Sequence, residues 1–282
     1  MRRLLDDAAR RLEAAGVASP MNDARLLLAH VLCVPLSRLP LVDGPTPEQI
    51  ARYDELVARR AGREPLQHLT GVAHFRHVEL AVGPGVFVPR PETELLAGWA
   101  IEAARAVSTG STTEVTVVDL CTGSGAIAKA VADEVPEARV YAVERDEPAH
   151  AWAERNLAGT GVELRLGHMG DAFDDLAGSV DVVVCNPPYI PLEAWETVAA
   201  EARDHDPHLA LYSGDDGLDA MRVLERRAAL LLRPGGVVGA EHADLQGESA
   251  PQVFSEAGRW ADVRDHTDLA GRPRYLTARL AP

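Results

Sequence analysis

The sequence is poor in cysteine, in long apolar runs and, over most of its length, in positive charge. Its three cysteines, Cys33, Cys121 and Cys185, are scattered. They have neither the paired spacing of a metal site nor the framework of a disulfide-stapled domain. No metal site is expected, and a reducing, cytoplasmic setting is. No apolar run reaches the roughly 18 residues of a membrane span. The opening stretch MRRLLDDAARRLEAAG carries charges through its apolar pattern, unlike a secretory leader. No membrane partner is expected. Internal repeats and low-complexity tracts are missing too, and RAVSTGSTTE at 105–114 reads at most as a polar loop.

The formal charge is −15, unevenly spread. Residues 1–70 hold 10 basic and 9 acidic side chains, whereas residues 91–282 hold 16 basic against 33 acidic, a net of −17. So acidic a body is a poor general partner for a phosphate backbone, whose affinity for proteins rests on Lys and Arg. Solubility alone also accounts for an acidic surface. No direct nucleic-acid partner is expected.

What is present is an ordinary globular composition, 46% hydrophobic and 25% charged over 282 residues. The length suits one large domain, or a large one with a small one. LLDDAARRLEAAG, ending at Gly16, has helical apolar spacing. SPMNDARLLLAHVL follows, with Ser19 as N-cap candidate and Pro20 at the first helical position; TPEQIARYDELVARRAGREP repeats the signal with Thr46, Pro47, Gly62 and Pro65. Residues 1–70 therefore predict a small helical domain with no titratable cluster of its own, either a structural appendage or, as favoured here, a docking module for a macromolecular substrate. Residues 66–90 alternate apolar and polar residues between glycines, which predicts a β-hairpin, so that 71–90 forms a linker. In residues 91–282 strands alternate with helices, which predicts an α/β domain with a mainly parallel sheet covered on both faces. Ligands of such sheets sit beyond the C-terminal strand ends.

VVDLCTGSGAIA at 117–128 reads as a strand, a glycine turn and a helix. Gly123 and Gly125 allow close backbone approach, and the helix start presents free N–H groups. The same residues satisfy a loose dinucleotide pattern. Asp119, just before the turn, would repel a pyrophosphate but welcome an ammonium group. Glu144 closes the next strand, 19 residues past Gly125, where a carboxylate can accept from both ribose hydroxyls. A nucleoside with an amino-acid tail and no phosphate suits that pair: S-adenosyl-L-methionine. Asp171, in GHMGDAF, is a candidate acceptor for the adenine amino group, although aspartates in such loops are commonly turn residues.

VDVVVCNPPYIP at 180–191 is a buried strand stopped by two prolines. Neither proline can donate to a ladder. The turn holds Asn186, Pro187, Pro188 and Tyr189 rigidly at a strand end. An amide or aromatic NH₂ is a poor nucleophile because its lone pair is delocalised. A methylating site must align that nitrogen and accept its hydrogens as positive charge develops. The Asn186 side chain and the Pro187 carbonyl can accept, and Tyr189 offers a flat face. A rigid turn without chemistry is the plainer reading.

Together, VVDLCTGSGAIA, NPPYIP and FVPRPETELL at 87–96 resemble the release-factor glutamine methyltransferases of the PrmC/HemK type; EHADLQG at 241–247 and the closing DLAGRPRYLTARL extend the match. The resemblance implies a Rossmann-like class I S-adenosylmethionine-dependent methyltransferase sheet with a small N-terminal helical domain. It implies methylation of the glutamine side-chain amide in the Gly-Gly-Gln loop of class I peptide chain release factors. Carried over by position, Asn186, Pro187, Pro188 and Tyr189 would bind that glutamine, with Arg90 and Glu92 near the mouth or in a salt-bridged linker. Asp119, Cys121, Thr122, Gly123, Ser124, Gly125, Glu144, Asp171 and Asn186 would hold the cofactor. The chain departs from the family pattern at Cys121, where glycine is usual, at Glu144, where aspartate is commoner, and at Ala172, where an aromatic commonly follows the acid. A nucleic-acid amino methyltransferase shares the chemistry but would call for a basic groove. A nicotinamide dehydrogenase would leave Asn186 to Tyr189 without a role, and a non-catalytic S-adenosylmethionine-binding module is the remaining alternative.

Overall fold

The computed structural model describes residues 1–108 and 114–282. Half of the stretch read as a polar loop at 105–114, residues 109–113, falls outside the described residues, and its first four belong to a helix. Along the chain come α1 (Arg2–Ala14), α2 (Pro20–Val31), α3 (Pro47–Ala61) and α4 (Leu66–Thr70), then β1 (Val72–Phe75), β2 (Val78–Ala81) and α5 (Thr93–Ser108). The middle holds β3 (Thr116–Leu120), α6 (Ala126–Glu134), β4 (Arg139–Glu144), α7 (Glu147–Leu157), β5 (Glu163–Leu166) and β6 (Val180–Cys185). It closes with α8 (Ala200–His205), α9 (His208–Leu211), α10 (Asp219–Leu231), β7 (Leu232–Glu241), α11 (Ser249–Glu256), β8 (Trp260–Thr267) and β9 (Pro273–Leu280).

Two compact units result. The first comprises Met1–Val72 with Val82–Pro84 and Ala199–His205; the second comprises Ala73–Ala81, Gly85–Val198 and Asp206–Pro282. The segment 199–205, read from sequence as part of the 91–282 domain, thus clusters with the helical unit.

In the helical unit, Leu12, Leu27, Leu28, Tyr53, Leu56 and Val57 make a fully buried core. Thr46 and Gln49 close a reciprocal capping box at the start of α3, satisfying two N–H groups that the helix leaves unpaired. Ser19 occupies the N-cap position of α2, but its side chain makes no cap bond; that start relies on Pro20, whose fixed φ suits the first turn. The expectation of no titratable cluster is overturned. The buried Arg60 guanidinium lies 2.8 Å from buried Asp23 and 2.9 Å from Glu201, which also meets Arg63 at 3.0 Å. Helical spacing could not show this, because Glu201 arrives from far along the chain.

Residues 66–90 are not one hairpin. Leu66–Thr70 is a helical turn ended by left-handed Gly71, and only β1 and β2 pair. Val82, Val86 and Val88 are buried without a ladder; Pro84, Pro89 and Pro91 among them have no N–H to give one.

The second unit is built on a seven-stranded sheet of order β5-β4-β3-β6-β7-β9-β8. β5 through β7 are parallel, whereas β9 runs antiparallel to both β7 and β8. Every residue of central β6 is buried, as expected of a parallel strand covered on both faces. One face packs Leu224, Ala228 and Leu231 of α10 against Val183, Cys185 and Val238. α5 packs against the sheet with Leu96, Ala100 and Ile101 buried. This is the α/β fold predicted from the alternating pattern.

Candidate active site

Leu120, Glu144, Leu166 and Cys185 end β3, β4, β5 and β6, and residues at or just beyond those ends line one cavity of about 350 Å³. The cavity lies where the strand order reverses, β3 having β4 on one side and β6 on the other. That is where open parallel sheets leave a crevice.

The glycine turn forms its floor. Gly123 has φ +57°, and a Cβ there would meet nothing within 4 Å, so its backbone stands open for a ligand. Gly125 has φ +85°, and its Cβ would press on Leu157 of α7, so packing also demands glycine here. Asn156 holds the turn from behind, donating to the Ser124 and Ala81 carbonyls at 2.9 Å. Cys121, in place of the usual glycine, sits at φ +61° with its thiol 3.6 Å from the Met169 sulfur. A left-handed L-residue costs about 1 kcal/mol. Burial, and then contact with Cys121, pushes the Cys185 thiol well up.

Glu144 lines the cavity, but its carboxylate is already engaged. One oxygen accepts from Gly123 N–H at 2.8 Å; the other accepts from Arg145 and Asp146 N–H at 2.8 and 2.9 Å. A carboxylate offers about four acceptor sites, so about one remains, and the reading that Glu144 serves both ribose hydroxyls narrows accordingly. Asp119 is fully buried and does not line the cavity. Its Oδ2 accepts from the Thr122 hydroxyl at 2.6 Å and Ala128 N–H at 3.2 Å, and its Oδ1 meets no donor. Burial pushes this carboxyl up to about 7, Thr122 and Ala128 opposing and the Glu144 charge adding. Asp119 thus braces the turn and the start of α6 instead of facing an ammonium group directly. Asp171 is exposed and outside the lining; its N–H closes a turn onto the His168 carbonyl. His168 and Met169 line the wall instead, because the turn after β5 brings the earlier residues inward.

Asn186, Pro188 and Tyr189 line the cavity, whereas Pro187 is buried behind them. The Asn186 amide donates to Thr93 Oγ1 at 3.3 Å, which leaves its carbonyl oxygen available. Burial raises the Tyr189 phenol far above its usual range, and the Glu241 charge adds to the effect; it stays neutral. Of the two residues placed near the mouth, Arg90 meets buried Asp206 at 2.6 Å and lies over the Phe87 ring. Glu92 is exposed and lines nothing. They are not paired as a linker salt bridge.

Residues 3–71 match the PrmC N-terminal domain, and residues 104–205 match the methyltransferase small domain. The release factor glutamine methyltransferase of Streptomyces coelicolor is 59% identical over 274 residues, 97% of this chain and 96% of its own. The chain belongs to the release factor glutamine methyltransferase family. The family's Mycolicibacterium smegmatis protein is 46% identical over 99% of this chain and 97% of its own. The 4-amino-L-phenylalanine/4-methylamino-L-phenylalanine methyltransferase of Streptomyces pristinaespiralis is 43% identical over 91% and 88%.

Sequence reasoning passed over four residues that set the Asn186–Tyr189 loop in this member of the release factor glutamine methyltransferase family. Thr93 opens α5. Glu241 ends β7, fully buried, and its Oε1 accepts from the Tyr189 hydroxyl at 3.3 Å. Gln246 donates to the Tyr189 carbonyl at 3.0 Å, and any Cβ on Gly217 would collide with that same carbonyl. Glu241 and Gln246 stand in EHADLQG, and a strand-ending acid beside the reactive strand was the available signal. Burial pushes the Glu241 carboxyl up to about 7, against the pull of Thr93, the Arg274 charge and Tyr189.

Proposed function

We propose that this chain transfers a methyl group from S-adenosyl-L-methionine to the side-chain amide nitrogen of the glutamine in the Gly-Gly-Gln loop of class I peptide chain release factors. The observation that carries this reading is the Asn186 side chain at the rim of the β3/β6 crevice, its N–H side taken by Thr93 and its carbonyl left to accept from an incoming NH₂. Pro187 offers a backbone carbonyl with no following N–H to compete for it, since Pro188 has none. Tyr189, held neutral, supplies a flat apolar face for a planar amide. An accepting pair of this kind orients a weak nucleophile and stabilises the charge that grows on it.

The open Gly123 backbone, the remaining acceptor site of Glu144 and the Met169 and Ile127 walls fit a nucleoside with an amino-acid tail. When bound, S-adenosyl-L-methionine supplies an electrophilic methyl on sulfur. Relatives named as release factor glutamine methyltransferases support a glutamine substrate. The relative named for 4-amino-L-phenylalanine supports a site suited to an NH₂ conjugated to a π system. A nucleic-acid base is not favoured, given the net charge of −17 over residues 91–282. The helical unit, Met1–Val72 with Val82–Pro84 and Ala199–His205, forms a docking domain for the release factor, and the sheet unit is the catalytic domain.

The test is methyl transfer from labelled S-adenosyl-L-methionine to purified release factor, followed by peptide mass mapping. Label on the loop glutamine, absent when that glutamine is replaced, is the expected result. Label elsewhere, or none with the cofactor bound, would refute the reading.

A further inference from the structure

The accepting loop has few means of holding itself. Of residues 187–192, Pro187, Pro188 and Pro191 have no N–H, so Tyr189, Ile190 and Leu192 carry the only three. All three donate to one neighbouring segment. Tyr189 and Ile190 N–H meet the Leu211 carbonyl at 3.2 and 2.8 Å, and Leu192 N–H meets the Gly214 carbonyl at 3.0 Å. Ser213 N–H returns the contact to the Ile190 carbonyl at 3.0 Å, and Ile190 and Tyr212 pair as an isolated parallel bridge. Residues 206–214 thus lie along the loop as a strap. Pro207 and the run from Leu209 to Gly214 also line the cavity, so the strap is both a wall of the site and the support of the loop that carries Asn186 and Tyr189.

The strap needs anchors of its own, because α9 inside it is a single turn of four residues, too short to be stable by itself. At its far end Ser213 Oγ accepts from Ala220 N–H, in the first turn of α10, at 2.8 Å. At its near end Asp206, its side chain fully buried, takes the Arg90 guanidinium at 2.6 Å. So short a bond between ionised groups is among the strong ones, and removing the cation from a buried carboxylate is costly. The same guanidinium lies 4.9 Å from the centre of the Phe87 ring, a contact that adds to its hold. Arg90 does not line the cavity, although its neighbours Phe87 and Pro89 do. Its charge is therefore committed to the strap and not to a substrate inside the cavity.

The geometry points to Arg90 as a positioning residue for methyl transfer. By fixing Asp206 it seats the 206–214 strap, and through the Leu211 and Gly214 carbonyls it sets where the Asn186–Tyr189 loop presents its acceptors, a role that rests on the reading of that loop as the acceptor of the substrate amide's hydrogens.

The experiment compares the wild type, Arg90→Met, Asp206→Asn and the double variant in two readouts. The first is methylation of purified release factor at saturating S-adenosyl-L-methionine. Either single change should lower kcat by about 10- to 100-fold, the cost of a small displacement near the reacting groups. Cofactor affinity should stay nearly unchanged, because the glycine turn, Glu144 and Met169 stand on other loops. The double variant should be no slower than the slower single one, as for two partners in one contact. The second readout is amide hydrogen exchange, which needs no substrate. Tyr189, Ile190 and Leu192 N–H should exchange about tenfold faster in both single variants, while amides of β3 and α6 keep their wild-type rates. Asp206→Asn keeps the shape and removes the buried charge, so it decides alone if Arg90→Met does not fold. An Arg90→Met that raises only KM for release factor, beside an Asp206→Asn with wild-type kcat, would make Arg90 a substrate contact and overturn the positioning role. Unchanged exchange at Tyr189 and Ile190 would overturn it too, and in both cases the methyl-transfer reading stands. A wild type that never labels release factor would instead overturn that reading, and this one with it.

Discussion

Asp119→Asn should spare the second unit the stability that the wild type loses through this site as pH rises. The Asp119 carboxyl is buried without exposure, one oxygen unpartnered, and burial raises its pKa from 3.8 to about 7. A raised acid contributes stability fully below its unfolded pKa and loses it as pH climbs through the folded value. From pH 5 to pH 8 the wild type therefore forfeits about two units of pH at 1.36 kcal/mol each, about 3 kcal/mol. Asparagine keeps an oxygen for Thr122 and Ala128 but cannot ionise. Its uncharged amide leaves one polar atom unpartnered at every pH, which shifts the whole curve without changing its slope. The assay is urea unfolding at pH 5 and pH 8, followed by tryptophan fluorescence. Trp99, Trp152, Trp195 and Trp260 all lie in the second unit, so the signal reports the unit that holds Asp119. The stability difference, variant minus wild type, should grow by about 3 kcal/mol between the two pH values. A difference that does not change with pH would refute the claim that Asp119 is buried at the cost of its charge.

Asn186→Ala should lower kcat by about 10²- to 10³-fold, the usual cost of one transition-state hydrogen bond; single-turnover methylation reads this, and a wild-type rate would remove Asn186 from the chemistry. Asp171→Ala should change S-adenosyl-L-methionine affinity less than about twofold in calorimetry, because Asp171 lies outside the cavity lining and a surface change of this kind is usually small. A tenfold loss would restore it as a cofactor contact. Arg60→Met should destabilise the helical unit by about 3–5 kcal/mol, since it strands the buried Asp23 carboxylate. Amide exchange in α2 and α3 measures this, and Asp23→Leu on the same background should recover much of the loss.

Much of the site was legible in the sequence because local chemistry dictates it. Two prolines after a buried strand make a rigid turn wherever they occur, and Gly123 and Gly125 take left-handed φ because no other residue does so without cost. Strand and helix periods announced the parallel sheet in the same way. The resemblance added the substrate class, which no periodicity could supply.

The remainder depended on distance in space. Asp119 and Asp171 were read as ligand contacts from their places in the chain. The fold instead set Asp119 beneath Thr122 and turned Asp171 to solvent, because which side of a strand end faces a crevice depends on the loop that follows. Arg60, Asp23 and Glu201 meet although Glu201 lies 141 residues beyond Arg60, and Asn186 meets Thr93 while Tyr189 meets Glu241, each across separate elements. The sequence by itself determined the sheet, the glycine turn and the accepting loop, since each rests on neighbours in the chain. Tertiary structure alone decided which carboxylates are buried, which are already saturated by backbone N–H groups, and which one stands behind Tyr189, because burial and hydrogen-bond partners belong to the assembled elements and not to any stretch of residues.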